Sequence, residues 1–422
     1  MSNYKYVIIG NSAAAVGCVE GIRRIDETGS ILIISDEQHH TYGRPLISYL
    51  LLGKTDLQRM KYRPDDWYTV NNVDTKLGVR ATAIDAAAHT VTLDGGEVIG
   101  YEKLLAATGS NPFVPPMGGL DTVPHKFTFQ TLDSAIALGE AITPESRVLI
   151  IGAGLIGLKC AEGIIDRVQS ITFIDMADRV LPSILDAEAS AIIKTRCEEV
   201  GIRFHLGDSV KEFIGRHAVT NQGLELDFDI AVLAVGVRPN IALVKDAGGD
   251  CGRAITVDER SATSLPDVYA AGDCTETRNA VTGDTMVMAI LPNAYLQGET
   301  AGINMAGVPY TFTKAIPCNA IGFFGKHILS GGAYVGETHF ENDGNSYRKL
   351  FYSDDHLNGF ILIGDKHPPE GETPAFDRAG IYTNMIRERT SLATVDFDAI
   401  ARHPGLAAFA PSVRAEYLGG ER

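Results

Sequence analysis

Two glycine-rich turns have the residue types and spacing to hold the phosphates of a dinucleotide. Gly152-Ala153-Gly154-Leu155-Ile156-Gly157 follows the apolar run Arg147 to Ile151 and opens a helical pattern. In that setting the first glycine allows a tight turn, the second lets backbone amides approach a pyrophosphate, and the third lets the helix pack closely on the strand. Asp175 ends the next apolar run, at the place where a carboxylate accepts both hydroxyls of a ribose. A 2′-phosphate there would meet like charge, so NAD(H) is expected over NADP(H). A purely structural glycine turn is the competing reading of the motif.

The other turn, Gly10-Asn11-Ser12-Ala13-Ala14-Ala15, keeps only the first glycine, with small residues in the other two places. Asp36 and Glu37 directly follow the next strand, and either suits an adenosine ribose. Read alone, this turn fits a nucleotide site and a structural βαβ unit equally well.

The elements that must carry these turns are legible in outline. Strand Tyr4 to Ile9, helix Ser12 to Ile25 and strand Ser30 to Ser35 form one βαβ unit. Strand Arg147 to Ile151, a helix to about Val168 and strand Ile171 to Asp175 form another. Laid over each other, the two units pair Gly10 with Gly152, Ser12 with Gly154, Ala15 with Gly157 and also Cys18 with Cys160. Runs His89 to Leu93 and Lys103 to Ala107 suggest an antiparallel excursion closing the first unit. A helix from Asn293 to Met305 ends at Gly307. Beyond Thr313 the pattern changes to strands at Ile328 to Val335, Tyr347 to Tyr352 and Leu357 to Ile363, with turns at Asp343-Gly344 and Asn358-Gly359, then a helix near Gly380 to Arg389. The expected class is α/β, with two Rossmann-like dinucleotide-binding domains and a C-terminal α+β domain. Their expected limits are 1–115 with 245–312, then 116–244, then 313–422.

Composition narrows the chemistry. The length of 422 residues suits two to four domains at roughly 150 residues each. A net charge of −16 works against phosphate backbones and anionic membranes, and no apolar run approaches the roughly 20 residues needed to span a bilayer. No nucleic acid and no membrane partner are expected, and the location expected is cytoplasmic. Cys18, Cys160, Cys197, Cys251, Cys274 and Cys318 are widely spaced, so neither a redox dithiol motif nor a tight metal cluster is present in the sequence. No metal site is expected, and redox chemistry would need a bound cofactor.

Three later segments join the two turns: Leu104-Leu105-Ala106-Ala107-Thr108-Gly109-Ser110, Val232 to Asn240 with Gly236-Val237-Arg238-Pro239, and Tyr269-Ala270-Ala271-Gly272-Asp273. Together and in this order they resemble the FAD-containing pyridine nucleotide-disulfide oxidoreductase superfamily over nearly the whole chain. The resemblance implies FAD at the first turn, on Gly10, Ser12, Ala13, Ala14, Ala15, Asp36 or Glu37, Arg44, Pro45, Ala81, Thr108, Gly109, Gly272, Asp273, Pro292 and Asn293. It implies NAD(H) at the second, on Gly152, Gly154, Leu155, Ile156, Gly157, Asp175 and Gly236. Helix 293–305 would aim its N-terminus at reduced flavin, where backbone donors and the dipole favour negative charge; an N-capped surface helix is the alternative.

Tyr42-Gly43-Arg44-Pro45-Leu46-Ile47-Ser48 is similar to the flavin-facing segment of rubredoxin reductases, nitrite reductase flavin domains and dioxygenase ferredoxin reductases. Disulfide reductases carry their redox cysteines there; this segment has none. Cys18, Cys160 and Cys274 read as packing residues, and no residue is assigned as catalytic. Lys159 and Tyr49 depart from the family pattern and are candidate modulators; for Lys159 a solvated helix position is the alternative. The run Ala320 to Gly325 reads as core or as interface. Leu357 to Asp365 and Arg378 to Tyr382 are similar to the C-terminal domain of the same relatives.

The function implied is hydride exchange between nicotinamide and flavin, and single-electron exchange with an iron–sulfur protein or subunit such as rubredoxin, ferredoxin or an oxidoreductase complex. The chain resembles the NAD-coupling subunits of tungsten aldehyde oxidoreductases and of phenylglyoxylate-type dehydrogenases, so a hetero-oligomeric complex is expected. An NADH oxidase and a non-enzymatic NADH-sensing scaffold are the alternatives.

Overall fold

A computed structural model of the chain describes residues 2–343, 346–367, 378–402 and 404–417. Strand β1 (Ser2–Ile9), helix α1 (Ala13–Arg23) and strand β2 (Ile31–Ser35) form the first βαβ start. All five residues of β2 are buried, as a parallel strand covered on both faces requires. A short helix α2 (Ile47–Leu51) follows, then β3 (Val73–Leu77), β4 (Ala81–Asp85), β5 (Thr90–Leu93) and β6 (Val98–Ala106). The sheet runs β3-β2-β1-β6-β5-β4, with strand Val268–Ala270 also paired in parallel to β6. β5 is antiparallel to both β4 and β6, so the excursion expected from His89 to Ala107 is present.

The second sheet is parallel throughout. It comprises β7 (Lys126–Thr128), β8 (Arg147–Ile151), β9 (Ser170–Asp175), β10 (Arg203–Leu206) and β11 (Ile230–Leu233), in the order β10-β9-β8-β11-β7. Helices α3 (Leu132–Ala141), α4 (Leu155–Ile164) and α5 (Ala187–Glu199) accompany it. Two helices are shorter than the sequence suggests. α1 stops at Arg23, and α4 tightens into a 3-10 turn after Ile164.

Helix α6 (Leu291–Met305) returns to the first sheet and lies against α1. The contact is backbone on backbone. A methyl group on Gly17 would sit 2.2 Å from the Tyr295 carbonyl oxygen, and one on Gly21 2.4 Å from that of Glu299. Across the same seam, Gly298 and Gly302 press on the carbonyls of Ala14 and Cys18, at 2.0 and 2.2 Å by the same construction. Paired glycines one helical turn apart on each helix therefore bring the axes closer than any side chain allows.

The C-terminal part is a five-stranded antiparallel sheet of β12 (Cys318–Phe323), β13 (Lys326–Gly332), β14 (Glu337–Asn342), β15 (Tyr347–Ser353) and β16 (His356–Asp365), ordered β12-β13-β16-β15-β14. Alternation along β16 divides its two faces. Ile361 and Ile363 join the apolar core of the second sheet, together with Phe323, Tyr347 and Phe351. Phe360 and Leu362 pack under Tyr382, Met385 and Ile386 of α7 (Gly380–Arg387). Phe323 of the run Ala320 to Gly325 is thus buried at a contact within the chain.

One expected turn is corrected. Asn358 and Gly359 lie inside β16, where the Asn358 amide donates to Val335 O and Ser353 Oγ at 3.2 and 2.7 Å, and the register slips at Phe351/Tyr352. Asn-Gly here serves a strand irregularity, since Gly359 admits the Ala333 carbonyl where a methyl group would stand 2.4 Å from it. The Gly344 half of the other expected turn lies outside the described residues. Among the described residues no helix is long and apolar enough to cross a membrane.

Gly298→Ala should destabilise the fold by about 2 kcal/mol or more, because the added methyl meets backbone and not a side chain that can swing away. Gly380→Ala, where the methyl meets nothing within 4 Å, is the control and should leave the melting temperature unchanged or higher. Equal thermal unfolding of the two variants would rule out the seam as a steric requirement.

Candidate functional site

Both glycine turns lie at the carboxyl ends of parallel strands, where open α/β sheets form crevices. Gly10 has φ +119°, and a methyl there would be 2.1 Å from the Ala107 carbonyl oxygen. Gly152 has φ +108°, and its methyl would be 2.3 Å from that of Ala234. Gly157 is also demanded by the fold, since a side chain would strike the Gly152 carbonyl at 2.1 Å. Gly154 is different. Its φ is ordinary and nothing lies within 4 Å of where a methyl would point. The chain itself has no steric need of glycine there, whereas a close ligand would.

Among the longer helices, capping separates the same places from the others, although the short α2 and α7 also lack side-chain caps. Among the described residues, α1, α3, α4, α5 and α6 are the long helices. Thr131 caps α3 with a reciprocal Ser134 contact, and Asp186 caps α5 through the Ala189 amide. α1, α4 and α6 begin at Ser12, Gly154 and Ile290 with no side-chain cap. Their leading amides are left for water or an anion. The capped-surface reading of the last of these helices is corrected: Asn293 is fully buried, its amide donates to Met288 Sδ at 3.0 Å, and its Oδ1 is buried without a partner. Pro292 beside it is exposed.

The first crevice gathers most of the residues expected of it. Gly272 (φ +86°) sits between the opening turns of α1 and α6, with Ala14 and Ala294 at 3.3 and 3.5 Å from the place of a methyl, and its amide donates to Gln297 Oε1 at 2.9 Å. Ala13 and Ala15 are buried in the same turn of α1. Asp273 accepts the Ser110 hydroxyl at 3.5 Å. Burial raises its carboxyl above the ordinary value, and the Arg44 guanidinium and Ser110 pull the other way. Arg44, followed by Pro45 in a short 3-10 turn, pairs with Glu37 and donates to Gln130 O at 3.2 Å. Thr108 is turned aside, its hydroxyl donating to Asn240 O at 2.7 Å, while Gly109 (φ +63°) faces open space.

The two acidic candidates now separate. Glu37 is committed, one oxygen to Arg44 and the other to the Tyr42 hydroxyl at 2.6 Å. Asp36 is exposed just past β2 and meets only Arg80, at 3.5 Å, beside the buried Ala81.

Around the second crevice Asp175 is held by two loops, accepting the Ala153 amide at 2.6 Å and the Ala177 amide at 2.8 Å. Leu155 and Ile156 start α4 half-buried, and Gly236 (φ +106°) opens onto space. Strands Ser110–Pro112 and Val237–Pro239 pair antiparallel and tie the two crevices together. Lys159 and Tyr49, far apart in sequence, are in contact: the ammonium lies 4.3 Å from the ring centre. With its side chain only 12% exposed, Lys159 is not a solvated helix residue.

Sequence reasoning missed Gln130 and Gln297 and named Ser110 only as the end of a motif; the three link these residues. Gln130 Nε2 donates to the Ser110 carbonyl at 2.8 Å and its Oε1 is buried without a partner. No local pattern marks it. Cys18 and Cys160 are each the sixth residue of their helix and fully buried, and burial pushes both thiols up.

The sequence profile of the pyridine nucleotide-disulphide oxidoreductase family matches residues 4–298. The chain is 31% identical over 401 residues to the NADH-dependent phenylglyoxylate dehydrogenase subunit epsilon of Aromatoleum evansii, covering 92% of each chain. It is 29% identical over 371 residues to a rubredoxin-NAD(+) reductase of Alcanivorax borkumensis, covering 85% of this chain and 94% of that one. Its fold matches the covalent putidaredoxin reductase-putidaredoxin complex with a TM-score of 0.84 at 23% identity, over 96% of this chain and 97% of that one.

Because its carboxyl value is raised, ionised Asp273 costs the ligand-free protein stability near neutral pH. Asp273→Asn should therefore raise the melting temperature of ligand-free protein near neutral pH. That gain should shrink as pH falls through the raised value, where the wild-type carboxyl takes up its proton. A variant that melts at or below the wild type at every pH would show that the carboxylate is fully compensated.

Proposed function

Since the chain belongs to the pyridine nucleotide-disulphide oxidoreductase family, we propose that its first crevice holds FAD, its second holds NAD(H), and that it exchanges electrons with an iron–sulfur protein or subunit. It is an NAD(H)-dependent flavoprotein oxidoreductase. The observation that carries the placement of both cofactors is that the three uncapped long helices are the ones that open at Ser12, Gly154 and Ile290. Bound there, FAD supplies two-electron exchange with nicotinamide and one-electron exchange with an iron–sulfur centre.

The residues bind and orient. The amides opening α1 take the flavin nucleotide's phosphates beside the Gly272 turn, whose own amide is held by Gln297, and Asp36 takes the adenosine ribose, Glu37 being occupied. Arg44 and Asp273 fix the flavin end of the crevice. The leading amides of α6, with Asn293, offer donors to negative charge that develops on the ring. The amides of α4 take the NAD pyrophosphate past Gly154, and Asp175 takes the ribose. The division into 1–115 with 245–312, 116–244 and 313–422 corresponds to an FAD domain, an inserted NAD domain and a C-terminal domain that covers the flavin and meets the partner.

A dedicated subunit of a larger complex fits better than a free reductase. The similarity to the dehydrogenase subunit covers 92% of this chain against 85% for the rubredoxin reductase, and a charge of −16 gives little long-range attraction to an acidic carrier. Direction follows the partner's potential, since the same site serves NADH oxidation and NAD⁺ reduction.

Purified protein should show bound FAD, and anaerobic NADH should bleach it. Folded protein that neither retains flavin nor takes it up when FAD is added, or flavin that stays oxidised under NADH, would overturn the reading. Asp175→Ala should weaken NADH binding about tenfold or more, as the loss of charge-assisted hydrogen bonds of about 1.5–3 kcal/mol implies, with flavin content unchanged. Loss of both cofactors together would contradict separate sites.

A further inference from the structure

Three elements from distant parts of the chain meet at Lys159. It rises from α4 one turn past Gly154 and reaches Tyr49 on α2, the helix that continues the segment Tyr42 to Ser48. Its ammonium donates to Glu162 and, at 3.3 Å, to the carbonyl of Gly322 near the end of β12, with the Phe323 ring 5.6 Å away. The second Glu162 oxygen accepts the Phe324 amide at 3.2 Å, and Arg196 of α5 donates to the Phe324 carbonyl at 2.8 Å.

The surroundings add to the grip. A methyl group on Gly163 would lie 3.0 Å from the Ser48 carbonyl oxygen, so α2 and α4 touch through backbone. Arg167 reaches the Leu51 carbonyl at 3.4 Å from the other end of α2. Lys159 and Glu162 each keep only 12% of the side chain exposed. Apolar side chains of similar volume would pack α2 on α4 as well, and a buried ion pair is weak as a source of stability. What the pair adds is direction: each donor and acceptor has a defined partner, and the partners lie on three elements.

We propose that Lys159 is a positioning residue for hydride transfer, clamping the flavin-facing segment and the end of β12 to the dinucleotide helix α4. This rests on the assignment of FAD to the first crevice and NAD(H) to the second. Transfer between two bound rings needs the reacting atoms about 3–3.5 Å apart, and a misplacement of about 1 Å costs on the order of 100-fold in rate. α2 follows directly on the flavin-facing segment and α4 carries the nicotinamide cofactor's turn, so the Lys159 contacts govern the separation of the two.

The test compares wild type with Lys159→Arg, which keeps the cation, and with the double variant Lys159→Met/Glu162→Gln, which leaves no unpaired buried charge. The double variant should retain FAD and bind NADH within about threefold of wild type. Its anaerobic single-turnover reduction by NADH should slow at least tenfold, while dithionite reduces both proteins alike. Lys159→Arg should recover most of the rate, because a guanidinium also stacks on the Tyr49 ring. In flavin-free protein, amide exchange should quicken over 48–52 and 322–324 in the double variant and stay unchanged in β1 and β8. An unchanged reduction rate, unchanged exchange, or a parallel loss of flavin and NADH affinity would overturn the clamp. A wild-type protein that neither retains FAD nor takes it up when FAD is added would overturn the functional reading instead, and the exchange measurement would still report on the clamp.

Discussion

The close approach of α1 and α6 is the constraint on which the first crevice depends. Helices separated by ordinary side chains pack about 8–10 Å apart, and only glycine on both sides lets carbonyls of one face the Cα atoms of the other. Gly17, Gly21, Gly298 and Gly302 do this along one seam. Because the helices run from adjacent ends of that seam, the unsatisfied amides of both point at the same region, with Gly272 wedged between Ala14 and Ala294. The crevice is thus a by-product of packing: separate the helices by one methyl group and the amides no longer converge.

Charge in the crevice is arranged around that geometry. Burial works against the Arg44 charge, but Tyr42, Glu37 and Asp273 more than offset it. The same group reaches across to the second sheet, since Arg44 donates to Gln130 O and the Tyr42 hydroxyl accepts the Leu132 amide at 3.0 Å. His39 adds a hydrogen bond between its Nε2 and Asp133 Oδ1 at 2.7 Å. The segment from His39 to Arg44 therefore both faces the first crevice and holds the start of α3. With FAD in the first crevice as proposed, cofactor binding and the mutual orientation of the two sheets share one set of residues, so each constrains the other.

Much of this was legible in the sequence where the cause is local. Gly10 and Gly152 need positive φ, the runs around them alternate or stay apolar as parallel strands do, and the equivalence of Cys18 and Cys160 survives as the sixth position of two matching helices. What failed was tertiary in origin. Asn358-Gly359 has turn chemistry but is absorbed into a strand by the close carbonyl of Ala333. Lys159 reads as a candidate modulator or a solvated helix residue, and its enclosure by Tyr49, Glu162 and Gly322, which speaks against the solvated reading, is visible only in the fold. Gln130 carries no local signal, and the glycine pairs, though spaced one turn apart, do not name the helix they pack on, because their partners lie in distant segments.

The cysteines decide where electrons go. All six are free, Cys18, Cys160 and Cys274 are fully buried, and burial pushes these thiols up, away from the thiolate that nucleophilic or redox work requires. The segment Tyr42 to Ser48 offers Tyr42 instead, with its hydroxyl fixed between Glu37 and the Leu132 amide. An architecture shared with disulfide reductases thus keeps its two nucleotide crevices and has no thiol relay between flavin and substrate. In the function proposed, electrons that enter as hydride leave to a carrier outside the chain, the identity of the substrate belongs to that partner, and the contribution of this chain is geometry.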